Sequence, residues 1–427
     1  MLYTLAALIV TAAIAVVLIV KLVLAPATGE WSQRVEIGPV GFEVGVPTVL
    51  RLVTAPWFAP QLAGHSIDTS YGQLRFGWGQ ANVLEVFCEP CSVKAPQLSD
   101  KPLKVQRLAL MVRRDVDSLF GNLRATPQGS TTELRGRFTG RLTQKGLQLS
   151  GESEDAPISQ WYQLLVPALP ELQRARIAGT ASVRGQWALP EGGYSLQPRL
   201  MLFSVDGLGA QALLDARAGS CGAPSRLATD SWLARGAVAA LDADFFQHAG
   251  YQNASLARSG GITPAPAGSK PEKAGAKAAY TLSAPVLQIT LNERLARMLL
   301  PPLPRSEEQY LRDLLYAVEL DRTPGKAGLL AAYLEMAPWG EQICGAEPAA
   351  RRYFKRSARG LEPTQAMWLA TMLRDPDAAL AKWRSEGQID RARARSVVEA
   401  VREIMPGQRV AMLRGVATAR FAPPAPQ

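Results

Sequence analysis

The chain has 427 residues, with 47 Lys plus Arg against 37 Asp plus Glu, two His and four Cys. At 47% hydrophobic and 20% charged residues it can bury a core, which excludes wholesale disorder. Four Cys exclude a small disulfide scaffold, two His argue against a multi-histidine metal enzyme, and a net charge of +10 favours anionic partners.

From Leu2 to Pro26 the only charge is Lys21, and the apolar run extends to Leu24. That is long enough to cross a bilayer as one helix. Ala25-Pro26-Ala27 resembles a cleavage site, but no basic segment precedes the run, so an uncleaved transmembrane anchor over 1–27 is favoured over a signal peptide. No second run of that length follows, which places the rest of the chain on one side of the membrane.

Residues 28–215 read as β. Arg34–Ile37, Phe42–Val44, Leu74–Phe76, Val105–Leu110, Leu134–Leu142, Leu147–Leu149 and Ile177–Gly185 alternate with period two between Gly and Pro punctuation. One amphipathic helix is predicted at roughly Ile158–Arg176, with Trp161, Leu164, Leu165, Leu169 and Leu172 on one face. Open sheet, half-barrel and sandwich all fit this pattern. The anchor, the segment Ala55–Gln61 and the many short Gly-punctuated strands resemble AsmA-like envelope proteins. That resemblance implies a membrane-proximal scaffold. Cys88 and Cys91 form a C-x-x-C that reads as a local disulfide or two unpaired Cys, and Cys221 could pair with Cys344 in an oxidising compartment.

After a linker at 216–231 the period becomes helical, and 232–410 reads as a mainly α domain. Stripes at Leu311/Leu314/Leu315/Val318, Leu329/Leu330/Tyr333/Leu334 and Ala366/Leu369/Ala370/Leu373 mark three helices, and Val397/Val398/Val401/Ile404 a last one. Residues 259–279, rich in Gly, Ala, Pro, Ser and Lys, read as a mobile insertion, and 411–427 as a flexible tail. The fold class is thus multi-domain α+β.

Asp242, Phe245, His248 and Gly250 sit at the spacing of E-D-x-x-F-x-x-H-x-G. Lys326–Glu335 resembles K-x-x-I-L-x-x-Y-L-N, and Gly340 to Phe354 resembles G-x-x-x-x-G-x-E-A-A-x-x-Y-F. In this order the motifs resemble the peptidoglycan glycosyltransferases, glycosyltransferase family 51, especially the monofunctional membrane-anchored type. The resemblance covers about Trp232–Pro376 and implies a lysozyme-like α domain. It also implies a membrane-lipid setting, with peptidoglycan glycan or a lipid-linked precursor as ligand.

Other motifs depart from the family. The leading Glu, the family's general base, is Leu241. The segment by spacing nearest G-G-S-T-I-T-Q-Q, Gln288–Arg294, lacks the glycines and both Gln, and R-K-x-x-E reads Gln309-Tyr310-Leu311-Arg312-Asp313. Leucine accepts no proton, and general-base catalysis is worth roughly 10²–10⁴-fold. The degenerate site is therefore Leu241, Asp242, Asp244, His248 and Asp313, with Asp244 the nearest substitute carboxylate and Lys326, Tyr333 and Glu335 the candidate substrate contacts.

Three functions follow from these residues: a catalytically silent binding domain, an active divergent glycosyltransferase, or a structural envelope scaffold acting through the β region, with envelope proteins as partners. No cofactor or resident metal is expected, a divalent metal only if the domain is active. The anchor argues against nucleic acid, and the expected location is the inner membrane, with the bulk of the chain periplasmic or external. A basic cluster at Arg351, Arg352, Lys355, Arg356 and Arg359 reads as a solvated face near anionic lipid.

Overall fold

A computed structural model describes residues 25–37, 40–69, 71–93, 102–190, 192–260 and 289–425. The apolar run at 1–24 and all but the first two residues of the insertion expected at 259–279 lie outside the described residues. Among the described residues no helix is long and apolar enough to cross a membrane. The chain forms two compact units, one of residues 1–167, 180–201 and 256–286, the other of 168–179, 202–255 and 287–427.

The first unit is antiparallel β. Strands β1 (Ser32–Ile37) and β2 (Val40–Gly45) form a hairpin, Ser32 opposite Gly45. The remaining strands are β3 (Ser66–Thr69), β4 (Gly72–Gly79), β5 (Val83–Cys88), β6 (Cys91–Val93), β7 (Leu103–Asp115), β8 (Ser118–Pro127), β9 (Leu134–Leu142), β10 (Leu147–Ser153), β11 (Ala156–Pro157), β12 (Arg176–Leu189), β13 (Gly193–Asp206) and β14 (Arg258–Gly260). These twelve make one sheet in the order β14-β13-β12-β10-β9-β8-β7-β5-β4-β3, with β11 on β12 and β6 on β7. The architecture left open by the sequence is a single sheet with a separate hairpin.

Period-two alternation gives this sheet one apolar face. Helix α1 (Val46–Val53) brings Leu50 against Val112, Leu119, Leu142 and Leu147. Helix α2 (Ile158–Leu165) brings Trp161 and Leu164 against Cys88, Val105, Ala125 and Leu134. Each such side chain, fully buried, is worth roughly 1.5–3 kcal/mol. Cys88 and Cys91 are disulfide-bonded and buried in this cluster.

The long helix expected at Ile158–Arg176 is corrected. It stops at Leu165, and a short 3-10 turn follows at Pro170–Gln173. Pro167 and Pro170 each lack a backbone donor and disfavour helix in the residue before them, which ends it.

The second unit is helical: α3 (Ala210–Arg217), α4 (Trp232–Leu241), α5 (Leu291–Leu299), α6 (Ser306–Arg322), α7 (Gly325–Met336), α8 (Ala346–Phe354), α9 (Pro363–Met372), α10 (Pro376–Glu386), α11 (Arg391–Ala400) and α12 (Pro406–Thr418). It begins earlier than the boundary expected at 215–232. The Glu319 carboxylate of α6 accepts from Gly207 N–H and Leu208 N–H, each at 3.0 Å, and so ties the start of α3 to the helical core. Ser231 caps α4, and Pro363 opens α9 where a missing N–H costs nothing.

Two further corrections fall at the C-terminus. The last helix is α12, with Met412 and Val416 buried, so most of the expected flexible tail from 411 is ordered. Phe421 packs edge-on against Phe354 and Trp368, each at 4.9 Å, while the Trp383 indole N–H donates to Phe421 O at 2.9 Å. An aromatic cluster thus holds the tail as far as Ala425, whose carbonyl accepts from Arg352. Cys221 and Cys344 are bonded across 123 residues of sequence.

Candidate functional site

The site is built where α4 ends, where α5 begins, and along α6 and α7. Helix α4 terminates at Leu241, and Asp242 leaves the helical conformation at its C-cap. The chain then turns through Asp244 and His248 to Gly250. Gly250 is required: at φ +85° a Cβ would lie 2.6 Å from Ala317 O of α6.

Asp242 is buried and fully engaged. Its carboxylate accepts from His248 Nε2–H at 2.9 Å, from the Leu291 backbone N–H at 2.9 Å and from Gln252 Nε2 at 3.3 Å. The Gly250 N–H donates to His248 Nδ1 at 3.1 Å, which fixes the tautomer with the proton on Nε2. Leu291 is the first residue of α5, so the carboxylate also lies at the positive end of that helix. Thr290 and Glu293 complete a capping box, and Thr290 Oγ1 donates to Gly250 O at 3.0 Å. Asp242 and His248 therefore join α4 to α5.

Asp244 takes a different position. It is half exposed and pairs with Arg402 at 2.6 Å, beyond the end of α11. Asp313 on α6 is fully buried; Arg297 Nε donates to it at 2.9 Å and Gln309 Nε2 at 2.5 Å. Burial pushes the Asp313 carboxyl above its ordinary range, and Arg297 opposes that rise. The three carboxylates of the expected site thus occupy a buried hub, a surface pair and a buried pair. No residue among their described partners is shared.

The substrate-contact candidates also separate. Lys326, at the start of α7, lies 2.6 Å from Asp321 Oδ1 and 4.5 Å over the Phe245 ring. Asn292 Nδ2 donates to the same Asp321 oxygen at 3.0 Å, so Lys326 belongs to the bracing of α5, α6 and α7. Tyr333 is a core residue at 2% exposure, and burial pushes its phenol up to about 12. Glu335 lines a separate pocket of about 210 Å³ with Asp215 and Ser225.

Sequence reasoning missed Arg294, Arg297 and Arg402. Arg294 on α5 has a buried Nε without a hydrogen-bond partner. Burial holds its guanidinium below its ordinary value, and the charges of Arg374 and Arg297 add to this, while the Tyr333 phenol and Asp242 oppose it. Arg297 lies three residues further along the same helix. Arg402 lies 158 residues from its partner, a separation no local pattern reports. Among the described residues no group of three or more His, Cys, Asp or Glu could hold a metal ion.

The stripes of α6, α7 and α9, the Asp242–His248 hub and the α6–α7 bracing all lie between residues 232 and 373. Residues 228–402 match the family model described as Transglycosylase. A biosynthetic peptidoglycan transglycosylase of Thiobacillus denitrificans is 33% identical over 144 residues, 34% of this chain and 56% of that protein. One from Alcanivorax borkumensis is 39% identical over 88 residues, covering 21% and 36%, and one from Nitrosomonas europaea 36% over 87 residues, covering 20% and 36%. These matches support a likeness of the C-terminal region to glycosyltransferase family 51. The matches span about half, or less, of those relatives' own length.

Proposed function

We propose that the helical unit is a catalytically silent transglycosylase domain that binds peptidoglycan glycan or its lipid-linked precursor. The observation that carries this reading is the fate of the carboxylates around Leu241. The family's base position holds a side chain that accepts no proton, Asp242 is saturated by three donors, and Asp244 points to Arg402. Asp313, at the acidic position of R-K-x-x-E, is buried against Arg297. Misplacing a reacting group by about 1 Å can cost 10²-fold, so a carboxylate held elsewhere is a poor substitute.

Binding is supported separately. The relatives are named biosynthetic peptidoglycan transglycosylases, and residues 228–402 match the Transglycosylase family model. Arg294, with an unused buried donor, and exposed Arg374 offer cationic groups that suit a phosphate-bearing ligand.

We infer further that the chain is held in the inner membrane by the apolar run before residue 25, with both units on the periplasmic or external side. Two bonded cysteine pairs support an oxidising compartment. The test uses the full chain in neutral detergent with fluorescent lipid-linked disaccharide precursor. Saturable binding without polymer is expected. Polymer that disappears in Asp244→Asn would establish the active, divergent enzyme instead.

A further inference from the structure

The face of the sheet opposite α1 and α2 carries arginine after arginine. Residues in direct register share a face. Asn122, Arg137, Glu152 and Arg184 form one row across β8, β9, β10 and β12. Arg113, Phe120 and Thr139 form the next across β7, β8 and β9. Arg124 lies directly opposite Arg135, and Arg141 opposite Ser118. All six arginines are exposed.

Glu85 and Asp115 share this face by register, but the ion pairs of these arginines among the described residues go only to Glu152 and Glu133. Arg137 and Arg184 share Glu152, at 3.5 and 3.2 Å, and Arg135 reaches Glu133 at 3.5 Å. Arg113, Arg124 and Arg141 have no ion pair among the described residues. Like charges directly opposed on a sheet are destabilising. The Arg124–Arg135 pair is therefore a cost that an external anion would relieve.

The charge pattern also indicates the shape of the partner. It spreads over several strands in two dimensions rather than along one track, as a polymer strand would require. A hollow of about 560 Å³ opens on the same face, with Val83, Met111 and Phe120 in its lining beside Arg113, Arg137 and Arg184. An apolar floor with a cationic rim fits an amphiphile better than a wholly hydrophilic polyanion. The basic cluster at Arg351–Arg359 is the weaker candidate, because Arg351, Arg352 and Arg356 pair with Glu347, Glu341 and Glu362.

We propose that this arginine face docks on an anionic bilayer surface, with phosphate-bearing headgroups lying against Arg113, Arg124, Arg135, Arg137, Arg141 and Arg184. The proposal rests on the membrane-anchored reading above and adds the surface that meets the lipid. Basic residues near an anionic membrane each strengthen binding several-fold, and salt weakens the effect.

The test is co-sedimentation of the full chain with vesicles of phosphatidylcholine alone, or with about 30% phosphatidylglycerol, at low and high salt. Binding to the neutral vesicles reads the anchor, and its absence would count against the anchored reading alone. The increment on adding phosphatidylglycerol reads the arginine face. It is expected to be at least about tenfold for the wild type, and to be retained by Arg391→Gln/Arg414→Gln/Arg420→Gln, which removes the same charge elsewhere. It is expected to vanish in Arg124→Gln/Arg135→Gln/Arg141→Gln, whose melting temperature should not fall, since the Arg124–Arg135 repulsion is removed. An increment that survives in the sheet variant, or that falls equally in both variants, overturns the proposal. So does tight binding of heparin, lost in the sheet variant, without an anionic-vesicle increment; that result would assign the face to a soluble polyanion.

Discussion

Asp242 and Asp244 are two residues apart and in opposite environments, and this contrast makes the site's chemistry testable. Removing Asp242 strands three donors inside the helical unit, and hydrogen bonds to a charged group are worth about 1.5–3 kcal/mol each before relaxation. Asp242→Ala is expected to cost about 3 kcal/mol in denaturant unfolding. Asp244→Ala, whose ion pair is half exposed, should stay within about 0.5 kcal/mol. Equal costs would contradict the assignment of Asp242 as the hub. Glu293 gives a pH test. Burial pushes its carboxyl above the ordinary 4.5, and the nearby Asp242 charge adds to the rise. A carboxyl raised in the folded state favours folding fully below its unfolded value, and that contribution is lost as pH rises through the folded value. Glu293→Gln keeps an acceptor for the Thr290 N–H but does not titrate. Its melting temperature relative to wild type should climb from about pH 4.5 upward and then level off; parallel curves would contradict the account. At this scale the sequence was informative about identity and silent about partners. The motif match located Asp242, His248 and Gly250, whereas the Asp242–Leu291 contact and the Arg402 pair arise from tertiary closure.

Elements were legible wherever one face is apolar. The stripes at Leu311–Val318, Leu329–Leu334 and Ala366–Leu373 became α6, α7 and α9, and the alternating runs became strands. Period reports which side chains seek a core, so it failed where the core lies elsewhere in sequence. Helix α12 has only Met412 and Val416 buried, and Phe421 is held by Phe354 and Trp368. The Ile158–Arg176 stripe was real, but two prolines decided its backbone. The Cys221–Cys344 bond fixes the loop before α4 to the segment preceding α8. Crosslinks closing loops of this length stabilise by about 2–5 kcal/mol. Reduction, or Cys221→Ser/Cys344→Ser, is expected to lower the unfolding midpoint of the helical unit accordingly. An unchanged midpoint would show that helix packing alone sets that unit's stability.

For the whole molecule, composition gave the sign of the partner and little more. The +10 charge is distributed unevenly: the helical cluster at Arg351–Arg359 is largely neutralised by nearby Glu, while one face of the sheet keeps unpaired arginines. Strand register, which sequence does not specify across long connections, gathers those arginines on one surface. The family resemblance covered Trp232–Pro376 of the helical unit, and a leucine at the family's base position, Leu241, was visible from the motif alone. What needed the structure was the finding that neither neighbouring Asp stands free to replace it. The central claim is that this scaffold binds without catalysing, and polymerisation of lipid-linked disaccharide precursor by the full-length protein tests it most directly. The account predicts no glycan polymer from wild type under conditions where precursor binding is measurable. Polymer produced by wild type and abolished by Asp244→Asn would contradict it.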